Sequence, residues 1–276
     1  MGCPRSGLAI VIPARLDSSR IPRKLLLSAA GRTILEWTYR RAVAACRAEA
    51  VWVATDSDEI AATVTGFGGQ VLRTGAHPSG THRVAAAVAQ LAEPPDGVIN
   101  LQGDEPLIDP GTIVKVAERL RGGAPSIVTC GAPLRSLAEW RDPSVVKVVC
   151  RADGTALYFS RQPIPGSRAG TGEEGFALAR GRVYQHVGIY GFPTPLLARF
   201  ARLEATPLAE IEGLEQLRAL EAGLSIEVVP IEAAVPAVDT PGDLERVRRQ
   251  LAHEVKESAN HRGRRPPRPA PGEQEA

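Results

Sequence analysis

The sequence predicts an α/β fold: a mainly parallel sheet with helices on both faces, followed by a region of different rhythm. Three observations predict it. Over the first 120 residues, apolar strand-like runs alternate with helix-like segments, the pattern of a parallel sheet with crossover helices. The first run, residues 8–12 (LAIVI), is continuous, as in a strand buried on both faces. After Pro125 the strand-like runs follow one another with short connections, which marks a change of architecture.

The elements follow in order. The first strand breaks at Pro13 into a loop carrying Arg15, Arg20, Arg23 and Lys24, with Ser18 and Ser19 as hydroxyl donors and Pro22 stiffening the approach to Lys24. Residues 33–46 predict a helix with Ile34, Leu35, Thr38, Ala42 and Ala45 on one face. Residues 50–54 are a second strand, and Ser57 caps a helix to about 66. A short strand at 70–73 precedes the loop HPSGTHR at 77–83, which feeds a helix to about 91. Residues 97–101 are a strand leading into QGDEP, and Asp109-Pro110 opens a helix to about 120. Strands are predicted at 126–133, 145–150, 155–159 and 184–192, with Asp153-Gly154 as a hairpin turn. The glycine-rich stretch 168–181 is expected as an exposed, mobile loop. Helices are expected at 194–201 and 208–222, the second closed by Gly223, with a strand at 225–230. Thr240-Pro241 caps a last helix to about 251, with Asp243 completing a capping box. Residues 1–251 therefore form one domain, with 126–192 contributing a smaller lobe and the mobile loop. Residues 252–276 form an Arg/Pro-rich tail that is too polar to bury a core and is expected to be disordered.

Composition narrows the function classes. A net charge of +2 on 276 residues gives no global field for nucleic acid or membrane, so an anion site must be local. No apolar run approaches a transmembrane span, and the start MGCPRSG lacks a signal-peptide pattern. Gly2 invites a myristoylation reading that Pro4 and the immediate first strand oppose. The four cysteines form no CxxC pair, which argues against zinc, redox motifs and disulfides. The expectation is a cytoplasmic enzyme, without nucleic acid or membrane insertion.

The chemistry gathers at strand ends. The basic loop leaves the carboxyl end of a parallel strand, where open α/β sheets bind ligands, and four cations in ten residues ask for an anion. Asp104 follows another buried strand at the same edge. A carboxylate beside a cation cluster suits a polyphosphate chelated by a divalent cation such as magnesium. Glu105 is the weaker second ligand, because neighbours on an extended chain face opposite sides. Asp239, beside the cap residue Thr240, is the other candidate ligand. Ser79, Gly80, Thr81 and Arg83 open a helix and suit an anion or a base edge, although no P-loop spacing is present. Arg161, His186, Tyr190, Glu215 and Gln216 form a third polar group, with Arg161 able to clamp a carboxylate and His186 and Tyr190 sharing a strand face.

Motifs IPARLDSSRIPRKLL, VATD, SGTHR and NLQGDEPLI resemble the sugar-activating cytidylyltransferases. ALYFSRQPIP, HVGIYGF, IEGLEQLRALEAG and VDTPGDLERVR narrow the resemblance to the 3-deoxy-manno-octulosonate (Kdo) cytidylyltransferases, over residues 8–251. The resemblance implies a nucleotide-diphospho-sugar transferase fold, homodimeric, converting CTP and Kdo to CMP-Kdo and pyrophosphate with Mg2+, for lipopolysaccharide or capsule synthesis. It implies catalytic roles for Arg15, Lys24 and Asp104. It implies a nucleotide site of Pro13, Ala14, Arg15, Ser18, Lys24, Ser79, Gly80, Thr81, Arg83, Gln102 and Asp104. Metal would sit on Asp104 and Asp239, and the sugar acid among Gln102, Arg161, His186, Tyr190, Glu215 and Gln216. Arg23, His82, Ala86 and Ala209 depart from the family's usual residues.

Overall fold

The computed structural model describes residues 7–18, 20–46 and 50–263, with side chains to 257. Ser19, residues 1–6 and the tail beyond 263 lie outside the described residues, so the readings made on Ser19, on Gly2 and Pro4 and on that part of the tail do too.

The first half alternates as its periodicity predicts: β1 (Leu8–Ala14), α1 (Ile34–Ala45), β4 (Val51–Thr55), α2 (Asp58–Gly66), β5 (Gln70–Arg73), α3 (Gly80–Val88), β6 (Gly97–Asn100) and α4 (Pro110–Arg121). A small hairpin, β2 (Ser28–Ala29) with β3 (Arg32–Thr33), falls between β1 and α1. The second half adds β7 (Ile127–Pro133), α5 (Leu137–Arg141), β8 (Lys147–Cys150), β9 (Ala156–Ser160), α6 (Glu173–Ala179) and β10 (Val183–Pro193). It ends with α7 (Thr194–Phe200), α8 (Pro207–Glu212), α9 (Leu217–Glu221), β11 (Ile226–Pro230) and α10 (Pro241–Gly263).

One sheet runs β11-β7-β10-β6-β1-β4-β5, with β8 and β9 branching from β10. β1, β4, β5 and β6 are mutually parallel, and so are β7 and β11; β10 runs antiparallel between the two sets. Alternate residues of β1 serve opposite faces. Ile10 and Ile12 pack with Leu35 of α1, Ile60 of α2 and Ile113 and Val116 of α4. Ala9 and Val11 pack with Val84 of α3, Leu197 and Phe200 of α7 and Leu217 of α9. Period-two alternation on a strand covered on both sides needs apolar residues throughout, which is why the run reads as continuous. Val238 and, on α10, Leu244, Val247 and Leu251 pack on Ile21 of the loop after β1, Ala29 of the small hairpin and Ile34 of α1.

Three local expectations are corrected. Residues 173–179 of the expected mobile loop form α6, because Phe176 and Ala179 are buried against Trp140, whose ring lies 5.9 Å from that of Phe176. The expected single helix at 208–222 is two, α8 and α9, divided at Gly213 in the left-handed conformation (φ 62°). The last helix runs twelve residues past Leu251. Glu254 there pairs with Arg41 at 2.5 Å, so this charged segment is tied to α1 by an ion pair.

Candidate active site

Parallel strands bring the carboxyl ends of β1, β4 and β6 to one edge, with Ala14 paired to Thr55 and Asn100 to Val11. A cavity of 390 Å³ opens there. Pro13 and Ala14 line it from the end of β1, Arg15, Ser18 and Lys24 from the segment after it, and Ser79, Gly80 and Arg83 from the start of α3. Gln102 and Asp104 close the third wall, and Glu215 and Asp239 enter from the far end of the chain. Asp17, Arg20 and His77 also line it; charge alone had marked only Arg20 of these.

The close quarters explain two glycines. A Cβ on Gly80 would stand 3.2 Å from Pro13 Cγ, and one on Gly103 3.3 Å from the Pro13 carbonyl oxygen. The backbone therefore approaches the end of β1 from both sides, and a side chain at either glycine would press on Pro13.

Lys24 is aimed by its own turn. Arg23 takes a left-handed conformation (φ 57°) and opens a 3-10 turn, Lys24–Leu26, in which Leu25 is buried and Lys24 faces the cavity. That conformation costs an L-residue about 1 kcal/mol, so a small residue suits the position; here the Arg23 guanidinium pairs with Glu59. The Lys24 ammonium donates to Asp104 Oδ2 and lies 3.7 Å from Asp239 Oδ1, while Arg20 lies 3.4 Å from Asp239. The two carboxylates are brought together by main chain, since Val238 N donates to the Asp104 carbonyl at 3.0 Å. The Asp239 carboxylate stays out of the helix cap: Thr240 and Asp243 form the capping box, with Thr240 N to Asp243 Oδ2 at 2.7 Å and Asp243 N to Thr240 Oγ1 at 3.2 Å, and Asp239 adds only its amide, 3.3 Å from Asp243 Oδ2.

Asp104 and Asp239 thus converge on the Lys24 ammonium, and their hard oxygens are of the kind that could hold magnesium. Among the described residues no group of three or more His, Cys, Asp or Glu converges. Two carboxylates fit an ion that takes its remaining oxygens from phosphate and water. Glu105 does not line the cavity. Burial, reinforced by Asp104 and Asp239, pushes its carboxyl up to about 8, which keeps it neutral at pH 7.

At the start of α3, Arg83 lines the cavity but is not without partners. Arg83 is buried and engaged: Nη2 donates to Asp56 Oδ2 at 2.9 Å and Nη1 to Thr74 Oγ1 at 2.8 Å, tying the ends of β4 and β5 to α3. Burial opposes ionisation of Asp56, yet Arg83 overrides it and holds the carboxyl below its usual range. Thr81 is buried behind the wall. A line of hydrogen bonds runs from Gln102 Nε2 to Asn100 Oδ1 (3.2 Å), from Asn100 Nδ2 to Thr81 Oγ1 (3.3 Å), and from the Thr81 hydroxyl to Glu215. Asn100 is a residue the sequence reading missed; its signal was a polar residue closing a wholly apolar buried strand.

Arg161, His186, Tyr190 and Gln216 do not line the cavity. His186 and Tyr190 are in ring contact at 5.4 Å, across a bulge of β10 between Val187 and Tyr190. Thr129 Oγ1 donates to main-chain carbonyls of that bulge, 2.8 Å from Ile189 O, and accepts from His186 Nε2 at 3.0 Å, which selects the Nε2–H tautomer. Burial pushes His186 down to about 4 and Tyr190 up, with Glu215 adding to the latter. Gln216 is buried, and its Nε2 has no hydrogen-bond partner among the described residues. Arg161 is held by Glu212 O at Nε (2.9 Å) and by Pro143 O at Nη1 (3.1 Å), so two of its five N–H donors are given to main chain.

A family model described as cytidylyltransferase matches residues 9–226. The chain belongs to the cytidylyltransferase family. Within it, the chain is 46% identical over 245 residues to a 3-deoxy-manno-octulosonate cytidylyltransferase of Anaeromyxobacter sp. (strain K), covering 89% of this chain and 98% of that one. It is 43% identical over 247 residues to that of Syntrophotalea carbinolica, covering 88% and 98%. A solved structure of a CMP:2-keto-3-deoxy-manno-octonic acid synthetase complexed with CTP superposes with a TM-score of 0.81 at 38% identity, over 90% of this chain and 100% of that one. These place this cytidylyltransferase in the 3-deoxy-manno-octulosonate branch, with its nucleotide-diphospho-sugar transferase fold. Among the described residues no helix is long and apolar enough to cross a membrane.

Proposed function

We propose that the enzyme transfers CMP from CTP to Kdo, releasing pyrophosphate. The observation that carries the reading is the convergence of Lys24, Asp104 and Asp239 at the mouth of a glycine-walled cavity, in a chain whose 38% identical neighbour holds CTP. The anomeric hydroxyl of the sugar acid attacks the α-phosphorus in line as pyrophosphate leaves. Lys24, drawn from Asp104 and Asp239 to phosphate oxygens, offsets charge developing on the α-phosphate. Arg15, exposed at the cavity and free of acidic partners among the described residues, stabilises the leaving pyrophosphate. Asp104 and Asp239 would hold magnesium, which lowers the pKa of a bound hydroxyl and neutralises phosphate charge. Ser18, Ser79, Gly80 and Gln102 shape the nucleotide wall. Glu215 joins that wall to Tyr190 and Gln216, whose hydroxyl and Nε2 would donate to the sugar acid's oxygens, while His186, its Nε2–H given to Thr129, offers Nδ1 as an acceptor.

The test is pyrophosphate release with CTP, magnesium and Kdo, repeated with sialic acid and with ATP or UTP. Release with CTP and Kdo alone supports the reading. Release with a different 2-keto sugar acid replaces the substrate, and silence with every pair favours a non-catalytic nucleotide-binding homologue. The working unit proposed is a homodimer, for which exposed Ile211, Leu178 and Leu157 supply apolar surface; a single-chain mass in sedimentation overturns it.

A further inference from the structure

Lys147 is a lysine on β8 with no exposed surface. Its ammonium donates to three carbonyls: Asp142 at 2.9 Å, Val145 at 2.6 Å and Arg161 at 2.5 Å. Three acceptors match the three N–H bonds of an ammonium, so the charge is compensated by main chain and forms a tripod beneath the 142–145 turn and the end of β9. Burial pushes the ammonium down to about 8, with Asp142 and Glu212 pushing the other way, so it stays protonated at pH 7.

Glu212 completes the hold from the opposite side. Its carboxylate accepts from the Ser160 hydroxyl at 2.5 Å and from the Arg161 amide at 2.9 Å, and its carbonyl accepts from Arg161 Nε at 2.9 Å. Arg161 is therefore gripped at its amide, its carbonyl, its Nε and, through Pro143, its Nη1. The left-handed Gly213 then turns the chain so that Glu215, two residues on, reaches the cavity wall. Neither Lys147 nor Glu212 lines that cavity.

We propose that Lys147 and Glu212 are positioning residues that fix Arg161 and the 212–215 turn for the acidic sugar substrate. They act through Arg161 and Glu215 without touching substrate. A buried lysine is a costly way to join two turns if only stability is at stake, since an apolar residue of the same length could fill the space. What the ammonium adds is a fixed geometry for three carbonyls, one of them the carbonyl of Arg161. The inference rests on the sugar-acid roles that the family resemblance implies for Arg161 and Glu215, of which Glu215 lines the cavity and Arg161 stands behind it.

The experiment compares Lys147→Met, Glu212→Gln and Arg161→Ala in the full chain. It measures KM for CTP and for Kdo separately, and hydrogen exchange of residues 160–162. Lys147→Met and Glu212→Gln are expected to speed that exchange and to raise KM for Kdo roughly tenfold, with KM for CTP unchanged. Glu212 is only partly buried, so Glu212→Gln keeps the test open if Lys147→Met fails to fold. Unchanged exchange in both variants, or a parallel loss in both KM values, overturns the positioning role. Unchanged KM for Kdo in Arg161→Ala, with exchange still faster in the other two, overturns the assignment of Arg161 while leaving the grip itself intact.

Discussion

At the carboxyl ends of β1 and β6 the charged side chains satisfy one another: Lys24 faces Asp104 and Asp239, and Arg20 faces Asp239. Around β8 and β9 the charged side chains are satisfied by main chain: Lys147 by three carbonyls, Arg161 by two, and the Glu212 carboxylate by an amide as well as the Ser160 hydroxyl. Side chains that compensate each other can exchange partners when an anion or a cation arrives. Side chains bound to backbone cannot move without moving the fold. The first region is built to change partners, and the second to hold a shape.

The sharpest way to break this contrast is Asp104→Ala. If the mutual pairing exists for chemistry, kcat falls about 10³-fold while the melting temperature hardly changes, because the partly exposed Lys24 can turn to Asp239 or to water. Turnover like the parent's sinks the assignment. Phe176→Ala probes the other region. Emptying the buried place against Trp140 is expected to cost about 3 kcal/mol in denaturant unfolding, with KM for CTP unchanged. A rise in KM for CTP would show that the two regions are not separable.

Gly80→Ala sharpens the nucleotide side alone. The new Cβ would stand 3.2 Å from Pro13 Cγ, and KM for CTP is expected to rise about fivefold with little effect on KM for Kdo. His186 supplies a pH test. Its folded pKa of about 4 lies below the ordinary 6.5, so the unfolded chain binds the extra proton between those values. Stability falls as pH drops from 6.5 toward 4, and His186→Gln should flatten that part of the melting profile; an unchanged slope sinks the assignment. The smallest effect is expected from removing residues 264–276, which should leave turnover within about twofold. Loss of activity on that deletion would favour a role for the basic tail.

Much of this was legible in residues read locally. Ser57, Ser79 and Asp109 stand before helices, and each caps the helix that follows it. The HPSGTHR and QGDEP segments follow strands and meet at one cavity, as the strand-end argument requires. Less legible was what each polar group would meet. Arg83 reads as a cation for an anion, yet Asp56 and Thr74 engage it. The glycines of 168–181 read as mobility, and a single Phe176 against Trp140 outweighs them. Lys147 and Glu212 carried no signal, since a lysine within an apolar strand gives no hint of three carbonyls from two different turns.

By itself the sequence determined the order and kind of most elements and the edge of the sheet where charge collects. Periodicity, caps and proline are decided within a turn or two of chain, so they can be read without the fold. Only the tertiary structure decided that Val238 bonds to Asp104 and brings Asp239 beside it, that Gly213 splits one expected helix and sends Glu212 and Glu215 to different tasks, and that Lys147 is buried with its charge answered by main chain. Those outcomes depend on which distant segments share a dry interior, where an unpaired charge is too costly to leave and each polar group must find its partner across the fold.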